Sequence, residues 1–63
     1  MWIELTTTEN EKFAVNLDHV VRMVPMAQGT QIVPADGAPF YVNEELHMII
    51  GRVRTIENFR RGG

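Results

Sequence analysis

The chain has 63 residues, no cysteine, 44% apolar and 22% charged side chains, and a formal net charge of −2. That is room for one globular domain with a modest core, so stability is marginal and association with a second subunit is a common support. Disulfides and thiolate metal sites are excluded, and the sequence pI of about 5.5 argues against a protein that coats nucleic acid over a whole face.

Trp2 to Thr7 alternates and is rich in β-formers, with Ile3 and Leu5 on one side and Trp2, Glu4 and Thr6 on the other. Thr8-Glu9-Asn10-Glu11 is a polar turn, and Lys12 to Asn16 alternates again with Phe13 and Val15 on one side, so the pair reads as a hairpin. Asn16 is placed to cap a short turn through Leu17-Asp18-His19. Val20 to Met26 predicts a third strand, Ala27-Gln28-Gly29 a turn, and Thr30 to Ala35 a fourth strand. Pro34 lacks an amide donor, which predicts an edge position or a bulge there. Asp36-Gly37 is a hairpin signal, and Ala38 to Val42 predicts a fifth strand with Pro39 near its start.

The period then changes from two to 3.6. Asn43 is a candidate N-cap, with Glu44 and Glu45 as acidic residues in the first turn. Leu46, Ile49, Ile50, Val53 and Ile56 form one apolar stripe, with Gly51 off it. Ile50→Ala or Val53→Ala is expected to cost ~2–4 kcal/mol. Glu57 would return to the apolar face, so the helix is expected over about 43–58, with Arg60-Arg61-Gly62-Gly63 as a flexible basic tail. The predicted fold is α+β, in one domain over 1–59. About five short antiparallel strands, two hairpins plus a linking strand, are packed by one C-terminal amphipathic helix. An internal echo relates Phe13-Ala14-Val15-Asn16 to Phe40-Tyr41-Val42-Asn43: in each, a strand ends on an asparagine able to cap the next segment.

The residues offer little for catalysis. Nucleophilic chemistry needs an activated Ser, Cys, Thr or Lys beside a base. There is no serine or cysteine, one lysine, and threonines mostly in strand or turn positions. The protein is expected not to be an enzyme and to carry no cofactor. Glu44-x-x-His47 has the i, i+3 spacing of carboxylate-bridged metal sites, but those need further ligands on facing helices. Asp18-His19 has no third ligand at metal spacing, so no metal site is assigned. Gly29 and Gly37 fit tight turns rather than a phosphate loop. The terminal Gly62-Gly63 is similar to a ubiquitin-like tail, without that fold's strand-strand-helix order.

Two surfaces remain as candidate sites. Met48 and Phe59 lie off the main helical stripe with Arg52 between them, and Trp2, Met23, Met26 and Tyr41 are candidates for an uncovered sheet face. A second apolar face on so small a protein points to a protein–protein contact, with a homo-oligomer or another protein as partner. The alternative is a curled sheet that buries both faces. Arg52, Arg54, Arg60 and Arg61 gather the basic charge at the C-terminal end, where they could meet a phosphate backbone or simply complement the helix dipole. Nucleic acid is the less favoured partner. The N-terminus has no basic region before an apolar run and no stretch approaches a membrane span, so the expected location is the cytoplasm without membrane contact.

Phe13-x-Val15-Asn16-x-Asp18-x-Val20, Gly29-Thr30-x-Ile32, Asp36-Gly37 and Tyr41-Val42-x-Glu44 together resemble the FlbD-type family of small flagellar and swarming-motility proteins, over roughly Ile3 to Val53. Pro34, Pro39 and the arginine-rich end depart from that pattern. The resemblance implies a small non-catalytic accessory protein and supplies no ligand residues. A fragment of the LytTR DNA-binding fold is also similar, which keeps nucleic acid open as a partner.

Overall fold

The computed structural model describes residues 1–62. The chain forms β1 (Trp2–Thr6), β2 (Lys12–Asn16), a 3-10 turn (Leu17–His19), β3 (Val20–Pro25), β4 (Thr30–Pro34), β5 (Phe40–Val42) and α1 (Leu46–Gly62). All pairings are antiparallel, in a two-stranded sheet β1-β2 and a three-stranded sheet β3-β4-β5, and the C-terminal helix packs on them. The α+β architecture matches the sequence expectation.

The two sheets are stitched where the end of β1 meets the end of β5. Thr7 bridges Val42, and the Asn43 amide donates to the Thr6 carbonyl at 2.9 Å. Each ladder also runs one residue beyond its strands: the Leu17 amide donates to the Met1 carbonyl, extending β1-β2, and the Ala35 amide to the His19 carbonyl, extending β3-β4, each at 2.8 Å. Ile3, Leu5, Val15, Ile32, Val42 and Ile49 fill the space between, so every strand but β3 and the helix contribute a buried side chain. β3 contributes Val20 and Met23, which pack against that core half-buried.

The turns follow local chemistry. Asn16 caps the 3-10 turn by accepting from the Asp18 amide at 3.1 Å. In the first hairpin the Thr7 hydroxyl accepts from the Glu9 and Glu11 amides, and Asn10 takes a positive φ of 70° that asparagine tolerates better than most residues. Pro34 is not on an edge strand, because β4 is central. It is accommodated by position: β5 pairing has ended at Ile32–Phe40, and the register opposite shifts by a bulge between Val20 and Arg22. That bulge also resets the alternation of β3. Val20 and Met23 face inward, while Val21 between them is 66% exposed.

The internal echo takes a physical form. Phe13 and Phe40 meet edge-to-face with centroids 5.8 Å apart, and the equivalent Val15 and Val42 are both buried. The echo ends at the asparagines. Asn16 caps its turn, whereas Asn43 sits three residues before α1 and uses its amide on Thr6.

The helix differs from expectation at both ends. It begins at Leu46, not Asn43, and no acidic residue lies in its first turn. Glu44 and Glu45 stay outside because their carboxylates serve distant backbone groups. The Thr6 amide and hydroxyl donate to Glu44 at 2.9 and 2.8 Å, and the Gly29 amide donates to Glu45 at 3.1 Å. The helix also continues past the expected end to Gly62, so Arg60 and Arg61 are helical; Gly63 lies outside the described residues. Glu57 does not stop the helix because residues 57–61 are all exposed, beyond the part that touches the sheets, where an apolar stripe is no longer needed.

Candidate functional site

The turn at 43–45 anchors the helix to three other segments. Besides the Thr6 and Gly29 bonds, the buried Thr30 hydroxyl donates to the Glu44 carbonyl at 2.8 Å. Partial burial pushes the Glu44 carboxyl up, but the Thr6 amide and hydroxyl, its own backbone N–H and the charge of Arg52 outweigh that and hold it below its ordinary value. A carboxyl depressed in the folded state adds stability above its unfolded pKa and loses it as pH falls through the folded one. Glu44→Gln is therefore expected to cost about 1–2 kcal/mol at pH 7 in urea denaturation, with the gap to wild type closing as the pH drops below the ordinary carboxylate value.

The anchoring sets one flank of α1 beside the edge of β1. Between them runs an open cleft of about 610 Å³, lined by Trp2, Ile3, Glu4, Gly51, Arg52, Thr55 and Ile56. An Arg52 guanidinium N–H spans it and donates to the Glu4 carbonyl at 2.7 Å. Met48, Arg52, Thr55 and Phe59 are spaced i, i+4, i+7 and i+11, so they share this flank. Trp2 is 66%, Met48 48% and Phe59 79% exposed. The structure thus brings Trp2 and Arg52 to one cleft, and helical spacing puts Met48 and Phe59 on the Arg52 side of α1, above and below the cleft lining.

The other candidates fall elsewhere. Met23 is half-buried against the core because the β3 bulge turns it inward. Met26 lies in the turn after β3, and Tyr41 faces outward on β5, where its hydroxyl accepts from Gln31 at 3.3 Å. Val21, exposed by the bulge, was not visible as a surface residue in a run of alternating β-formers.

The arginines point to different surfaces. Arg52 faces β1, while Arg54 lines a second cleft with Pro25, Leu46, His47 and Ile50. Arg60 and Arg61 lie on the last turn of α1. Glu44 and His47 do not converge, since Glu44 is turned to Thr6 and His47 to that second cleft. No three His, Asp or Glu side chains gather at metal-binding distance among the described residues, and no helix described is long and apolar enough to cross a membrane.

Gly51 borders both clefts, yet an added Cβ there would meet nothing within 4 Å. Its monomeric fold does not require glycine. Gly51→Ala should raise the stability by about 0.5–1 kcal/mol through helix propensity, visible as a higher Tm. A lower Tm, measured at a concentration where the protein is monomeric, would overturn the expectation.

Comparison with family models, curated proteins and solved structures returns no match for this chain.

Proposed function

We propose that the protein is a non-catalytic accessory module that works by binding a protein, first of all a second copy of itself, through the flank of α1 that borders β1. The observation that carries this reading is an open cleft beside a sheet edge, lined by the exposed Trp2 and by Arg52, with the exposed Met48 and Phe59 in line with Arg52 on the same side of α1. Large apolar side chains grouped in this way are typical of association surfaces. The absence of serine and cysteine, and a single lysine, support a non-catalytic role. The resemblance to the FlbD-type family is in keeping with an accessory protein and adds no target. Nucleic acid takes second place because the four arginines are spread over different sides of the helix rather than along one stripe.

Sedimentation equilibrium or light scattering over a concentration series tests the reading. A mass rising toward a dimer, with a blue shift in emission from the only tryptophan, Trp2, is the expected outcome. A monomer at high micromolar concentration overturns it.

A further inference from the structure

The free edge of β1 has a pattern that fits one occupant. In an antiparallel ladder, alternate residues turn their N–H and C=O toward the neighbouring strand and the rest turn them away. Thr7 donates its amide to Glu11, and Met1 accepts from Leu17, so the odd-numbered residues of this segment face the β2 side. The even-numbered residues face outward. Thr6 is already closed off, its amide bonded to Glu44 and its carbonyl to Asn43. The Trp2 N–H, Trp2 C=O and Glu4 N–H take no partner among the described residues, and the Glu4 C=O accepts only from Arg52. The open stretch is therefore one donor and one acceptor on each side of Ile3.

We infer that this edge pairs with the same edge of a second copy, antiparallel about a two-fold axis at Ile3, while the α1 helices pair antiparallel along Met48, Arg52, Thr55 and Phe59. The inference rests on the self-association proposed above and specifies how it occurs. About that axis, Trp2 of each copy lies opposite Glu4 of the other. Each Trp2 N–H donates to a Glu4 carbonyl, and each Glu4 N–H donates to a Trp2 carbonyl. The Glu4 carbonyl has a second lone pair for this bond beside the one used by Arg52.

Three further observations favour a second copy over a flexible peptide. The open stretch is short, and closed at Thr6, so a peptide would gain little for the ordering it undergoes, whereas a folded copy is already ordered. The helical seam has the 4-3-4 spacing of a helix–helix contact, and the helix residues lining the cleft, Gly51, Arg52, Thr55 and Ile56, lie at the centre of that seam and face Ile3. Both halves of the contact are thus centred on one place, as a two-fold axis requires. Charge is complementary as well. Residues 1–51 hold two basic against seven acidic side chains and residues 52–63 four against one, and antiparallel helices set the arginine end of one copy beside the Glu44–Glu45 turn of the other. The remaining edges carry features that discourage pairing: Lys12 on β2, the bulge and Pro25 on β3, and the three-residue length of β5.

Backbone hydrogen exchange on the wild-type protein, followed by concentration, is the decisive experiment. The Trp2 and Glu4 amides should exchange at least about tenfold more slowly in the associated state, while amides in the first hairpin loop do not change. Glu4→Pro removes the outward donor without touching the bonds to β2, and should weaken the dimer by about tenfold or more with the circular dichroism of the fold retained. The chain has no native cysteine, so Met48→Cys and Phe59→Cys variants can be oxidised in a mixture. A disulfide between the two variants, in preference to either with itself, is the expected product. A dimer whose Trp2 and Glu4 amides stay unprotected, or one in which Phe59→Cys pairs with itself, overturns this arrangement and leaves self-association standing. A monomer throughout overturns both.

Discussion

Gly29→Ala is expected to destabilise the protein by about 3 kcal/mol or more, measured by urea or thermal denaturation. Two costs combine at this position. Gly29 has φ +76°, a region that residues with a Cβ enter only under strain, and the added Cβ would collide with the Val42 carbonyl oxygen, which is backbone and cannot rotate away. Any shift to relieve that clash pulls on the Gly29 amide, which donates to Glu45, and on Thr30, whose hydroxyl holds the Glu44 carbonyl. Gly37 supplies the control, with φ +91° and nothing within 4 Å of an added Cβ. Gly37→Ala should cost only the backbone strain, about 1–2 kcal/mol. Equal losses at the two positions would mean that the close approach to Val42 carries no energy. For a domain of this length, whose total stability is on the order of 3–9 kcal/mol, Gly29→Ala approaches loss of the fold.

Ile49→Ala should be nearly as severe, at roughly 2–5 kcal/mol, because the side chain is fully buried among residues of both sheets. Ile50→Ala and Val53→Ala remove side chains that are only half-buried and should cost less. The apolar stripe alone treats Ile49, Ile50 and Val53 as equals; burial separates them. A larger loss at Ile50 than at Ile49, in parallel denaturation curves, would place the helix in the wrong rotation about its axis.

What was legible in the sequence was local. Alternation in Trp2–Thr6 and Lys12–Asn16 marks the first hairpin because Ile3, Leu5 and Val15 must all face one side. Asn16 was readable as a cap because its partner is two residues away. The start of the helix was not readable, because the partners of Glu44 and Glu45 lie 38 and 16 residues away, and those bonds draw both residues out of the helix that local rules assign them. The inward turn of Met23 was hidden for a similar reason: it depends on a bulge set by how β3 registers against Pro34. Of the candidate surface, Trp2, Met48, Arg52 and Phe59 were identifiable as residues without a place in the core. That Trp2 meets the Arg52 side of α1 depends on the Arg52 contact with Glu4, which spans 48 positions of the chain.

The anchoring of the helix by the 43–45 turn has a meaning for biosynthesis. The strands leave the ribosome before the helix that seals them, and Ile49, which completes the core, is made after every residue it packs against except Val53. Until α1 has emerged, Leu5, Ile32 and Val42 have no cover, and the carboxylates that join Thr6 and Gly29 to the turn hold a lid that is not there. A nascent chain stalled before Ile49 therefore lacks the residue that closes the core and leaves Leu5, Ile32 and Val42 open to aggregation.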